Sequence, residues 1–265
     1  LNASAIGGEY LSAASFLGVA GLVLAFGTDM LWYPVGWTAG YLLLLVFVAA
    51  PLRRSRAYTL PDFAEFRLES LSARRVSSGL VVLIGLLYLV PQFQGAGLTL
   101  RTLTGPPTWA GAVVVTVVVL ANVAAGGMRS ITIAQAFQYW LKLFALLFPL
   151  ALLLMRWRGD GAPTRRLDLA RWVEPMQGSH ATYLTYSLIL ATFLGTMGLP
   201  HVVVRFYTNR DGRAARRTTV AVLAMLSAFY LLPTLYGVLG RVYASDLVAA
   251  GRTDSVVLEL PRRLF

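Results

Sequence analysis

Long apolar runs alternate along the chain with short breaks rich in arginine. A membrane-spanning helix needs about 20 predominantly apolar residues, and seven windows supply them. In chain order these are Tyr10–Thr28, Met30–Leu52, Val76–Leu100, Thr102–Met128, Ser130–Met155, Pro175–Val204 and Thr218–Gly240. Only the fifth window contains a charged residue, Lys142. They predict spans one to seven. Span one is expected to begin earlier, near Ala5, which brings Glu9 inside it. Between spans two and three, YTLPDFAEFRLES predicts a short interfacial helix. It would start at Thr59 or Pro61, with Phe63, Phe66 and Leu68 on its apolar side.

Two of the spans are interrupted. Span one reads IGGEYLSAASFLG over residues 6–18, with paired glycines, an acid and two serines. Span six reads FLGTMGLPH over 193–201, with two glycines, a proline and a histidine. Proline removes a helix hydrogen bond and clashes with the preceding turn, and glycine is a weak helix former. Freed backbone groups are costly in lipid, so such a break must line a cavity or be satisfied by neighbouring helices. Close helix packing through small residues explains either segment taken alone. Together they lie five spans apart, which inverts one relative to the other. A pair of interrupted segments in two inverted halves points to the binding site of a transporter.

Composition narrows the class. Of 265 residues, 57% are hydrophobic and 13% charged, against roughly 25% charged in a soluble domain. That excludes an ordinary soluble protein and a disordered one. Without cysteine there is no disulfide framework and no thiolate chemistry. The net charge of +11 sits in clusters beside the apolar runs, which indicates membrane orientation rather than nucleic-acid binding. Arg53, Arg54, Arg56, Arg67, Arg74 and Arg75 lie between spans two and three. Arg205, Arg210, Arg213, Arg216 and Arg217 lie between six and seven. These dense clusters are placed in the cytoplasm. No HExxH, Walker or GxSxG pattern is present, and an enzyme is not expected.

The segments GGEYLSAASFLG, RRSRAYTLPDFAEFR, GGMRSITIAQAFQYWLKL and above all GTMGLPHVVVRFYTNRDGRAARRT resemble the bacterial sodium/solute symporters. The likeness is greatest to the branch that carries acetate and other short monocarboxylates. It implies an all-α polytopic membrane protein of the bacterial plasma membrane, with part of a leucine-transporter-type fold, a five-plus-five inverted repeat. Residues 1–156 would form the first repeat, 157–182 an extracytoplasmic loop and 183–265 the start of the second repeat. Both ends are expected to continue into a longer protein, and this piece is not expected to complete ion-coupled transport by itself. The implied function is uptake of a small monocarboxylate coupled to Na⁺ or H⁺, with lipid, solute and ion as partners and no bound cofactor. Other solutes, such as proline or a pyruvate-like acid, and a symporter-like sensor module of a membrane histidine kinase are the alternatives.

A broken helix offers two kinds of ligand: carbonyls at the end of one half for a cation, and N–H groups at the start of the other for a carboxylate. The resemblance implies a Na⁺ site on the backbone oxygens of Gly8 and Leu11, with further ligands outside this chain. It puts substrate near Ser12, Ala13 and Ser15. Glu9 is either a coupling acid or a solvated interfacial acid. The branch carries Asp there, and the extra methylene of Glu argues against direct coordination. Lys142 lies twelve residues into span five, about 18 Å along a helix and so near mid-bilayer. It could pair an acid, attract an anionic substrate, face a vestibule, or snorkel. His201 is expected to donate to substrate or to hold the unwound backbone. Gln92, Gln94, Asn122, Gln135 and Gln138 are polar candidates for the cavity, and interhelical hydrogen bonding explains them equally well.

Overall fold

A computed structural model describes residues 1–55, 57–163, 180–205 and 211–265. Most of the loop expected over 157–182, together with Arg56 and Arg210, lies outside them. Every regular element among the described residues is helical, and four runs are long and apolar enough to cross a membrane: Ser15–Val48, Leu71–Thr104, Ser130–Gly159 and Gly212–Tyr243. The chain is an all-α polytopic membrane protein.

Span one is built from two halves. Helix α1 (Asn2–Tyr10) stops where Leu11 takes ψ 80°. After Ser12 the chain re-enters helix through a π-turn, Ala14–Gly18, and continues as α2 (Val19–Phe26). Gly27, at φ +82°, turns the chain in a conformation open chiefly to glycine. That turn divides the first of the four long runs into spans one and two. Span two then follows as α3 (Trp32–Leu43), a π-turn over Leu44–Val48, and α4 (Ala49–Ser55). The interfacial helix is α5 (Leu60–Leu68). The Thr59 hydroxyl caps it by accepting from the Asp62 N–H at 3.2 Å, as a threonine N-cap should. Its Leu60 and Phe63 pack against the core, while Phe66 and Leu68 point outward.

Span three is α6 (Leu71–Thr104). Spans four and five run together as one stretch of helical backbone, α7 (Thr108–Gly159), where two separate spans were expected. The helix is nevertheless not straight. Residues eight apart in a straight helix are separated by about 12 Å along the axis, yet the Ser130 hydroxyl donates to Asn122 Oδ1 at 3.0 Å. Two short side chains so spaced can meet only if the backbone bends sharply between them, which marks the junction of spans four and five.

Span six is α8 (Ala181–Gly198), an extended Leu199, and the single turn α9 (Pro200–Val203). Span seven is α10 (Gly212–Tyr243), started by the Asp211 carboxylate accepting from the Ala214 N–H. Two short helices close the chain, α11 (Asp246–Ala249) and α12 (Val256–Leu264). They are tied by a bidentate Arg263–Asp246 pair at 2.7 and 2.9 Å, which holds the Asp246 carboxyl below its ordinary range.

The core lies between α1, α2, α3, the second half of α7 and α10. Ile6, Leu11, Leu24, Tyr41, Leu150, Phe229 and Tyr236 are wholly buried there. Small residues set how closely these helices approach, as in other membrane bundles. A Cβ on Gly8 would run into the Gln135 carbonyl oxygen, and one on Gly36 or Gly40 into Thr192 or Thr196. By contrast α6 turns Leu80, Leu83, Leu86, Leu87 and Val90 outward, a surface suited to lipid.

The ends of the bundle sort the arginines. Arg54, from the first cluster, lines a cavity of about 450 Å³ with Arg213 and Arg216 from the second. The expected cytoplasmic clusters thus share one end. At the other end the Tyr243 hydroxyl donates to Asp160 Oδ2 at 2.8 Å, joining the ends of spans seven and five.

Candidate functional site

Both interrupted spans break where the glycines, serines and proline predicted, and the two breaks are neighbours. The Tyr10 and Thr196 hydroxyls lie 3.2 Å apart, linking α1 to the last turn of α8. At the first break the Leu11 N–H still donates to Gly7 O, but the Ser12 N–H turns back to Tyr10 O at 2.9 Å. Gly8 O, which a continuing helix would have paired with Ser12, is therefore left for another donor.

That donor is Lys142. Its ammonium donates to Gly8 O at 2.9 Å and to Leu11 O at 2.7 Å. The two oxygens implied as Na⁺ ligands thus hold a cation that belongs to span five. An ammonium satisfies carbonyls that lipid cannot, and the carbonyls lower the cost of its burial. A second cation on the same oxygens would meet it at close range. Two unit charges 4 Å apart repel by about 4 kcal/mol at an effective dielectric constant of 20. The cation on these two carbonyl oxygens is the Lys142 ammonium.

Glu9, one residue along, faces elsewhere. Its Oε2 accepts from Arg205 Nε at 2.6 Å, and Arg205 also donates from NH1 to Thr132 Oγ1 at 2.7 Å. The Arg205 side chain is 2% exposed and that of Glu9 18%, so the solvated interfacial acid considered for Glu9 is not what the fold builds. Arg205 was grouped with the surface arginines. It is in fact the largest fully buried side chain among the described residues, held by Glu9 and Thr132. Among the described residues no group of three or more His, Asp and Glu side chains forms a metal site.

On the other side of the break lie the candidate substrate residues. The Ser12 and Ser15 hydroxyls are 3.2 Å apart, and Ser15 Oγ donates to Tyr10 O. The Ala13 N–H donates to Gln92 Oε1 at 3.3 Å, so the span-three amide covers the open start of the half-helix. One turn earlier on α6, the Tyr88 ring lies 4.5 Å from His201. Ser12, Ala13, Ser15, Gln92 and His201 are thereby drawn round one break. Ala13 lines a cavity of about 190 Å³ with Gln94. His201 lines a second, of about 330 Å³, with Pro61, Val81 and Pro200. Among the described residues, the Nε2 of His201 is buried with no hydrogen-bond partner.

An aromatic wall completes the site and was not anticipated. Tyr10 packs edge-on to Tyr41 at 5.0 Å, and Trp37 lies 5.2 Å from Tyr230. Among the described residues, the Tyr41 hydroxyl and Gln135 Oε1 are buried without hydrogen-bond partners. Buried polar groups are nearly always paired, so these mark places where a polar ligand would be satisfied. Nothing in the linear pattern distinguishes these tyrosines from others in apolar runs. Only the crossing of spans one, two and seven selects them.

The sodium:solute symporter family model matches residues 1–260. A protein named "Uncharacterized symporter YwcA" from Bacillus subtilis is 32% identical over 243 residues, covering 89% of this chain and 47% of its own length. A "Monocarboxylic acid transporter" from Corynebacterium glutamicum is 33% identical over 275 residues, covering 94% of this chain and 50% of its own. The chain thus spans about half the length of the curated relatives it matches.

Proposed function

The chain belongs to the sodium:solute symporter family, and from that premise we propose that it is part of a bacterial plasma-membrane transporter that takes up a small monocarboxylate such as acetate, coupled to a cation gradient. The observation that carries this reading is the open half-helix start at the span-one break. There the Ala13 N–H is held by Gln92, and the Ser12 and Ser15 hydroxyls lie 3.2 Å apart beside it in sequence. Backbone N–H groups at a helix start favour negative charge, and serine hydroxyls donate to carboxylates. The substrate carboxylate would take the Ala13 N–H from Gln92, whose amide is a movable neutral acceptor. The Corynebacterium relative, named for monocarboxylic acids, supports the same substrate class.

The test is uptake of labelled acetate by the whole transporter in proteoliposomes, with propionate, pyruvate and proline as competitors. Ser12→Ala or Ser15→Ala removes a hydrogen bond to a charged group, worth roughly 1.5–3 kcal/mol. That corresponds to a roughly ten- to hundredfold loss of affinity. Unchanged affinity in both variants would move the substrate elsewhere, and competition by proline alone would change its class.

A further inference from the structure

The family's name implies sodium, and the two oxygens that would receive it are already engaged. We propose that the ammonium of Lys142 is the resident cation at the break of span one, and that this transporter neither binds nor requires Na⁺ there. The proposal deepens the transport reading above and rests on it for the uptake arm of its test alone.

Three observations carry it. First, Lys142 Nζ reaches both oxygens at hydrogen-bond distance, 2.9 Å to Gly8 and 2.7 Å to Leu11. A cation bridging these atoms does for the broken helix what a bound metal ion would do, neutralising the negative end of α1. Second, no carboxylate lies within ion-pair distance of Lys142 among the described residues. The nearest acid in sequence to its partners, Glu9, is taken by Arg205. Lys142 is therefore not the counter-ion of a buried acid. Third, neighbouring hydroxyls have other acceptors: Tyr139 donates to Met225 O, Tyr236 to Leu146 O, and Tyr10 pairs with Thr196. Among the described residues, the two carbonyls are the whole coordination of this ammonium.

A tethered cation differs from a diffusible one in a measurable way. It sits at the site at an effective concentration fixed by the fold, so sodium in the medium has to displace it rather than fill a gap. Removing its charge should open the site.

The experiment uses the purified whole transporter. Binding of radioactive ²²Na⁺ and the thermal unfolding temperature are measured in NaCl and in choline chloride at equal ionic strength. The expected result is no saturable ²²Na⁺ binding and equal unfolding temperatures in the two salts. Saturable Na⁺ binding by the wild type, or its selective stabilisation by Na⁺, overturns the proposal. Lys142→Gln should gain Na⁺-dependent stabilisation, and Lys142→Arg should remain indifferent to Na⁺. If both variants fail to fold, the wild-type comparison still decides. Acetate uptake in proteoliposomes should proceed equally with Na⁺ replaced by choline, and uptake confined to Na⁺ medium overturns the proposal. Absence of uptake of every monocarboxylate in all media would overturn the substrate reading, leaving the binding measurements to decide this one.

Discussion

Glu9 and Arg205 are 196 positions apart in sequence and 2.6 Å apart in space. Breaking one partner of a buried pair leaves an uncompensated charge and costs about 3–5 kcal/mol. Glu9→Gln and Arg205→Met should each lower the unfolding temperature in detergent sharply. The double variant should recover part of the loss, a non-additivity expected only of side chains in direct contact. Additive effects would mean that each residue is held by something else. The pair also shows where reading a sequence fails. Glu9 was conspicuous as an acid in an apolar run, whereas Arg205 was one arginine among many near a span end. Its burial depends on the short turn after Leu199, and no local property of the residue signals that. Lys142 was likewise conspicuous, but its acceptors are backbone oxygens of another span. Those become available only once Ser12 has turned its N–H back to Tyr10.

The helices pack through specific glycines, and the structure separates them from glycines that only mark a break. Gly8→Ala would force a methyl into the Gln135 carbonyl, and overpacking of this kind costs typically 1–3 kcal/mol. Gly195 has open space where a Cβ would stand, so Gly195→Ala should be neutral or stabilising by up to about 1 kcal/mol. Unfolding curves of the two variants, compared side by side, test the distinction. Destabilisation by Gly195→Ala would mean the break at Leu199 needs that glycine. At this scale much was legible, because glycine, proline and serine in an apolar run are local signals of a break. The Gly36-x-x-x-Gly40 spacing is an equally local signal, but what it packs against is not. Its partners Thr192 and Thr196 lie in a span that sequence order does not bring near. Spans four and five could be counted from hydropathy as two windows, but hydropathy does not show that one nearly continuous helix, bent between Asn122 and Ser130, carries both.

Across the whole molecule, the two arginine clusters meet at one end, and the ends of spans five and seven meet at the other. Residues 1–265 contain no cysteine, so in a whole transporter with any cysteine elsewhere replaced, single-cysteine variants report sidedness. In intact cells Arg75→Cys and Arg217→Cys should resist a membrane-impermeant thiol reagent, while Arg158→Cys should react. The reverse pattern would invert the orientation assigned from charge. Helix α1, before the first break, and α9, after the second, both face the arginine-rich end, and the Glu9–Arg205 contact clamps them together. The two interruptions, at Leu11–Ser12 and at Leu199, are therefore bridged on their arginine-rich side by one buried ion pair. A change of angle at one break would have to stretch that contact unless the other break changed with it.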